Sequence, residues 1–240
     1  MVVEASQDVP LDVLSRFGAV MLEDSSSIAL PKELAEQWQG CGGAPGEGQA
    51  AVKLHVRWEL KRGQLQGPRL THGRVSDRSS PFKEDPLAEG SLYIADLRYL
   101  DWGRIAARRA AGSYTLTRAQ ARPLSWTLEG EPLQLDSLLP QQVGQSKELW
   151  VRVGDEHQHL MRLLILRVPE EVAARRRADL DADAKRRGQP IRERAWKLAA
   201  WTILLTDVPA NLLSLHEAQN CLTARPTGSP GRMAFPCGGG

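Results

Sequence analysis

Residues 91–118, SLYIADLRYLDWGRIAARRAAGSYTLTR, decide the class of fold. SLYIAD (91–96) is short and largely apolar, as expected of a buried strand. YLDWGRIAARRAAG (99–112) has helical composition and closes on Gly112. SYTLTR (113–118) then supplies a second strand. Strand–helix–strand units of this length build α/β sheets. Asp96 stands at the end of the first strand, just before the helix. About seventy residues upstream, VMLEDSSSIALP (20–31) places Asp24 in a similar position.

Outward from this unit the pattern stays mixed. Residues 10–18 read as a short helix leading into a buried strand, AVML (19–22), and PKELAEQW (31–38) as a helix opened by Pro31. GCGGAPGEGQ (40–49) is a loop. AVKLHVRWEL (51–60), KRG (61–63) and QLQGPRLTHG (64–73) form a hairpin, followed by a polar, Pro-punctuated loop over 74–86. Further strands are predicted within 123–140, 148–154 and 159–169, a charged, Ala-rich helix over 170–187, and a strand at WTILLT (201–206). The order predicts an α/β protein: a mixed sheet flanked by helices, carrying a β-rich insertion. In that layout Asp24 and Asp96 sit at the ends of adjacent strands.

Net charge is only +2, with 42% hydrophobic and 25% charged residues, ordinary values for a globular chain. Basic residues gather within 152–194, where they form either a phosphate-binding surface or a solvated helix face. Cys41, Cys221 and Cys237 are too few and too widely spaced for a disulfide framework or a zinc site. The acidic start MVVEASQDVPLDVL (1–14) lacks the features of a secretory leader, and no apolar run approaches the roughly 18 residues of a membrane span. A soluble, intracellular protein is expected.

Two carboxylates held close together repel each other unless a cation lies between them. Mg²⁺ takes hard oxygen ligands, commonly one or two Asp plus substrate phosphate oxygens and water. A pair of such ions can activate a water or 3′-hydroxyl and steady the leaving oxygen of a phosphodiester, and a third carboxylate normally completes the second site.

Four stretches, VMLEDSSSIALPKEL (20–34), VKLHVRWELKRGQLQGPRLTHGRVSD (52–77), LYIADLRYLDWGRI (92–105) and RAWKLAAWTILLTDVP (194–209), together resemble the DDE transposases of bacterial insertion sequences. The first is similar to the first-Asp motif, the second to the hairpin after it, the third to the second-Asp motif, and the fourth to the segment returning from an insertion. The resemblance covers roughly residues 10–218. It implies an RNase H-like core over 1–118, a β-rich insertion with a basic helix over 119–193, a return to the core over 194–219 and a loose tail over 220–240. It implies that Asp24 and Asp96 are catalytic carboxylates binding Mg²⁺ or Mn²⁺, with Ser25 and Ser26 in the turn after the first acid. Arg98 and Arg118 become phosphate contacts, guanidinium being suited to bidentate phosphate binding. Arg175, Arg176, Arg177, Lys185, Arg186 and Arg187 become contacts to double-stranded transposon ends. A homodimer on DNA, and a bacterial cytoplasmic location at the nucleoid when DNA-bound, are likewise implied.

The family's third acid lies on a helix with Tyr, Arg, Glu and Lys after the return strand. Residues 220–240 contain no Tyr, Trp, acid or Lys, and Glu217, the last acid in the sequence, precedes the expected position. A truncated, inactive copy is therefore expected, with two alternatives: a DNA-end-binding regulator without catalysis, and a different RNase H-like nuclease completed by another acid. The remaining candidates read as structural: HQH (157–159) as an exposed pair on one strand, His55 and His72 as hairpin side chains, DLDAD (179–183) as a solvated helix face, and the seven Trp as core. No Gly-rich phosphate loop, nucleophile elbow or Cys–His pair occurs, which argues against an ATPase, an esterase and a thiol enzyme.

Overall fold

The computed structural model describes residues 11–41, 49–95, 99, 101–119, 125–154 and 159–223. A single nine-stranded sheet organises them. Its strands are β1 (Val20–Leu30), β2 (Ala50–Glu59), β3 (Gln64–His72), β4 (Leu92–Ala95), β5 (Tyr114–Arg118), β6 (Ser125–Trp126), β7 (Ser146–Val153), β8 (His159–Arg167) and β9 (Trp201–Thr206). The spatial order is β3-β2-β1-β4-β5-β9-β8-β7-β6. β1, β4 and β5 run parallel, while β2 and β9 flank them antiparallel. The mixed, helix-flanked sheet agrees with the expected α/β class. The β-rich segment does not stand apart, because β8 pairs with β9 and β9 with β5, extending the same sheet.

Alternation along the strands sends side chains to two cores. On one face Val20, Leu92, Ile94, Leu116, Leu164 and Leu204 pack against α1 (Leu11–Ser15) and α6 (Leu215–Thr223) through Val13, Leu14, Phe17, Leu215, Ala218 and Cys221. On the other, Met161, Leu163, Ile165, Ile203 and Leu205 meet α2 (Trp102–Ala110), α3 (Leu135–Leu138) and α5 (Glu193–Leu198) through Ile105, Leu135 and Leu198. α4 (Glu170–Arg187) is the long connection between β8 and β9, and it buries little beyond Ala173, against Val168 and Ala200.

Local chemistry fixes the boundaries. Asp101 caps α2, its Oδ1 accepting from the Arg104 N–H at 3.1 Å, and Gly112 ends the turn after it at φ +71°. Ser214 and Glu217 form a reciprocal capping box on α6: Ser214 N–H donates to Glu217 Oε2 (2.8 Å) and Glu217 N–H to Ser214 Oγ (3.3 Å).

Four expectations change. β1 does not stop at Leu22 but continues through Asp24 and the serines to Leu30, because ten successive residues pair with β2. Over 31–38 there is only a 3-10 turn at Lys32–Leu34, since the backbone N–H of Leu34 already turns back to Pro31. Residues 123–140, read as strands, contain the short helix α3. Helix α6 runs on to Thr223, past the point where a loose tail is expected to begin.

Candidate nucleic-acid site at the carboxyl end of the parallel strands

β1, β4 and β5 point their carboxyl ends the same way, the end at which open α/β sheets bind ligands. Their register aligns Leu22 with Ile94 and Ile94 with Leu116. Two residues beyond that row come Asp24 on β1 and Arg118 on β5. Both are exposed. Since side chains repeat every second residue, they share the face of Leu22 and Leu116, which α6 covers lower down. At about 4.8 Å per strand, β1 and β5 lie about 10 Å apart there. Asp96 and Arg98 lie outside the described residues; in sequence Asp96 stands two residues beyond Ile94, as Asp24 does beyond Leu22.

Asp24 sits inside β1 rather than at its end, with Oδ1 accepting the Ser25 N–H at 2.8 Å. Its neighbours point the other way and are buried or half-buried. Glu23, wholly buried, accepts from the Tyr93 hydroxyl (2.7 Å) and lies 3.5 Å from Arg57 Nη2 and 3.9 Å from Arg104 Nη2. Ser25 Oγ donates to Asp77 Oδ1 (2.8 Å), which also takes Lys53 Nζ at 3.0 Å. Below them Arg69 clamps Asp85 through two bonds of 2.9 and 2.7 Å, which holds that carboxyl below its ordinary value. Arg108 lies 3.5 Å from the Tyr93 ring centre, and burial brings its guanidinium down to about 10.

Sequence reasoning missed Glu23, Tyr93, Arg57 and Arg104. The available signal was alternation: if Val20, Leu22 and Asp24 share one face, Met21, Glu23 and Ser25 share the other.

The basic residues of α4 divide by role. Arg176 donates to the carbonyls of Ala199 (3.4 Å) and Trp201 (3.1 Å) and to Thr202 Oγ1 (3.0 Å). Burial, then the charge of Arg118, lowers its affinity for a proton. Arg118, Arg176, Trp201 and Thr202 line one open cleft beside the carboxyl end of β5. Arg177 pairs with Glu170 (2.7 Å) and stacks on Trp196, and Arg186 pairs with Asp183. Arg175 and Lys185 are exposed, and the side chain of Arg187 lies outside the described set.

Other candidates resolve into structure. His55 is buried against Thr71 Oγ1 (2.9 Å) and His72 Nδ1 accepts the Gln39 N–H; His159, expected to be exposed, is instead buried and stacks on Trp102, and His157 is outside the described residues. Asp179 and Asp181 are exposed on α4, as read from sequence. The tryptophans divide: Trp102 and Trp201 pack, half-buried, against the core, as expected, whereas Trp150 and Trp196 are exposed. Glu217 is held by Arg16 Nη2 at 2.9 Å and, less strongly, by the α6 cap, which together depress its carboxyl. Among the described residues no three His, Cys, Asp or Glu side chains are grouped to hold a metal ion, and no helix is long and apolar enough to cross a membrane.

No protein-family model matches the chain. Curated proteins do. The transposase of insertion sequence IS231B from Bacillus thuringiensis subsp. berliner is 21% identical over 233 residues, 88% of this chain and 48% of that protein. The chain resembles the transposases of bacterial insertion sequences. The IS1151 transposase of Clostridium perfringens gives 21% over 228 residues, 87% of this chain and 48% of its own. This transposase-like chain thus spans about half the length of the curated relatives it matches. A piggyBac transposase in a synaptic complex with hairpin DNA superposes with a TM-score of 0.40 at 10% identity, over 86% of this chain and 37% of that one, a likeness too low to carry an argument.

Proposed function

We propose that this chain is a DNA transposase of the DDE type, built on an RNase H-like core that binds double-stranded transposon ends. The observation carrying the proposal is the aligned row Leu22–Ile94–Leu116, with an acid two residues beyond it on β1, another on the chain after β4, and an arginine on β5. The strand order β3-β2-β1-β4-β5, with the first three antiparallel and the rest parallel to β1, supports the RNase H-like reading.

Asp24 is a solvent-accessible carboxylate, a hard oxygen donor that fits a hydrated Mg²⁺ or Mn²⁺. With Asp96 it would hold the metal, which when bound supplies positive charge to a phosphodiester and lowers the pKa of a bound water. Arg118, about 10 Å along the row, would neutralise and orient a phosphate of the same strand. Exposed Arg175 and Lys185 would grip flanking phosphates, a contribution that weakens with salt.

A second reading, end binding without cleavage, has one observation in its favour. Glu217 is committed to the α6 cap and to Arg16, and among the described residues no three His, Cys, Asp or Glu side chains are grouped to hold a metal ion. Incubating the purified chain with its element's terminal repeats in Mg²⁺ or Mn²⁺ separates the two. Nicking that disappears in Asp24→Ala supports the transposase. A salt-sensitive shift without nicking supports the regulator, and the absence of both overturns the two readings together.

A further inference from the structure

The strand bearing Asp24 is tied down on its hidden face by a buried ionic group that core packing alone does not require. Glu23 stands directly before Asp24, its side chain fully inaccessible; Arg57 and Arg104, at 3% and 7% exposure, flank it. Arg57 is the cross-strand partner of Glu23 on β2. Tyr93 on β4 pairs with Met21, so its 2.7 Å bond to Glu23 runs diagonally from β4 to β1. Arg104 adds a contact from α2. A carboxylate buried in this way is costly unless paired, and its second oxygen, Oε1, has no partner among the described residues. Burial and the Glu23 charge both raise the Tyr93 phenol, which keeps it protonated and able to donate.

The diagonal geometry gives these groups a task. A one-residue slip of β1 against β4 would move Asp24 to the opposite face of the sheet. The β4 side of that register is only three pairs long, Val20–Leu92 to Leu22–Ile94. A bond to β4, a contact to β2 and one to α2 all meet at the residue next to Asp24. We propose that Glu23, through Tyr93, Arg57 and Arg104, is a positioning residue that holds Asp24 on its face of β1 as a metal ligand; this rests on the metal-site reading above.

The test is Mn²⁺ affinity of the full chain, measured by calorimetry without DNA. Tyr93→Phe keeps the ring under Arg108 and removes only the hydroxyl. Loss of a group that orients a metal ligand commonly costs on the order of tenfold in affinity, and a fall of about that size is expected. Glu23→Gln, which keeps an acceptor for Tyr93 but loses the charge, should fall as well, and it decides the matter if Tyr93→Phe does not fold. Leu163→Ala, in the core on the far half of the sheet, is the control: it lowers the melting temperature and should leave Mn²⁺ affinity unchanged. Unchanged affinity in the Tyr93 and Glu23 variants, or an equal fall in the Leu163 control, overturns the positioning role. Failure of the metal site itself looks different: wild type and Asp24→Ala would then bind Mn²⁺ equally, or not at all.

Discussion

Replacing Arg162 with Met tests how the face that carries Asp24 is held together. Arg162 lies on β8 with no exposed surface, yet its guanidinium reaches three acceptors. Nη1 donates to the carbonyls of Val208 (2.6 Å) and Leu213 (3.0 Å), and Nε to Glu148 Oε1 (2.7 Å). Val208 and Leu213 are buried residues of the segment that delivers α6 to the sheet. Arg162→Met keeps the length of the side chain and removes both donors to those carbonyls. Each buried carbonyl left without a partner costs about 1–3 kcal/mol, roughly 2–6 together. Glu148 is 37% exposed, so it regains water and adds little. Against this, Nη2 is already buried without a partner in the native protein, and removing it with the buried cation returns about 1–2 kcal/mol. The midpoints, about 4 less about 1.5, give an expected loss of about 2.5 kcal/mol, or roughly 5–10 °C in melting temperature for a chain of this size. Thermal unfolding measures it. Thiol labelling of Cys221, which is buried on α6, reports whether α6 has loosened once Cys41 and Cys237 are replaced by serine. A loss below about 1 kcal/mol with Cys221 still protected would refute the assignment of Arg162 as the anchor of that segment.

Three further outcomes follow from other parts of the fold. Asp207 is buried and its carboxyl raised, desolvation outweighing the 2.6 Å bond from Thr115 N–H. Between the ordinary Asp value of about 3.9 and that higher value, the fold keeps a proton that the unfolded chain has lost, so stability falls as pH rises. Asp207→Asn keeps the acceptor and removes the fall: denaturant titrations should find it more stable than wild type at neutral pH and no more stable at about pH 3. On α4, Lys185→Ala and Arg175→Ala should leave stability within about 0.5 kcal/mol while lowering the salt slope of DNA binding by about one unit for each phosphate no longer neutralised. Arg176→Ala should instead cost about 1–3 kcal/mol, because its guanidinium serves three acceptors at the start of β9. Melting curves and binding at several salt concentrations separate the two classes.

The parts of this fold that are legible in sequence are those where one physical signal acts alone. The β2–β3 hairpin shows its alternation, α2 its closing glycine, and α4 its alanine and charge. β1 misleads because Glu-Asp-Ser-Ser-Ser reads as a polar turn. Pairing with β2 supplies the backbone bonds that carry a half-exposed strand through it. Residues 31–38 have good helix formers, but the chain has room only for a 3-10 turn and a bend before it returns to pair at Gln39–Ala50. In the site, Asp24 is found through resemblance, not spacing, since exposed acids at strand ends are common. Glu23 is hidden because burial of a charge depends on Tyr93, Arg57 and Arg104, which arrive from three other elements. The α4 arginines look alike in sequence, and only tertiary contacts separate Arg176, bonded to backbone carbonyls, from exposed Arg175.

A crystal of the chain grown with Mn²⁺ and measured at the manganese edge tests the proposed metal site most directly. An anomalous peak is expected between Asp24, midway along β1, and Asp96, just after β4, and it should be lost in Asp24→Ala. A peak elsewhere, or none with both carboxylates ordered and turned apart, would contradict it.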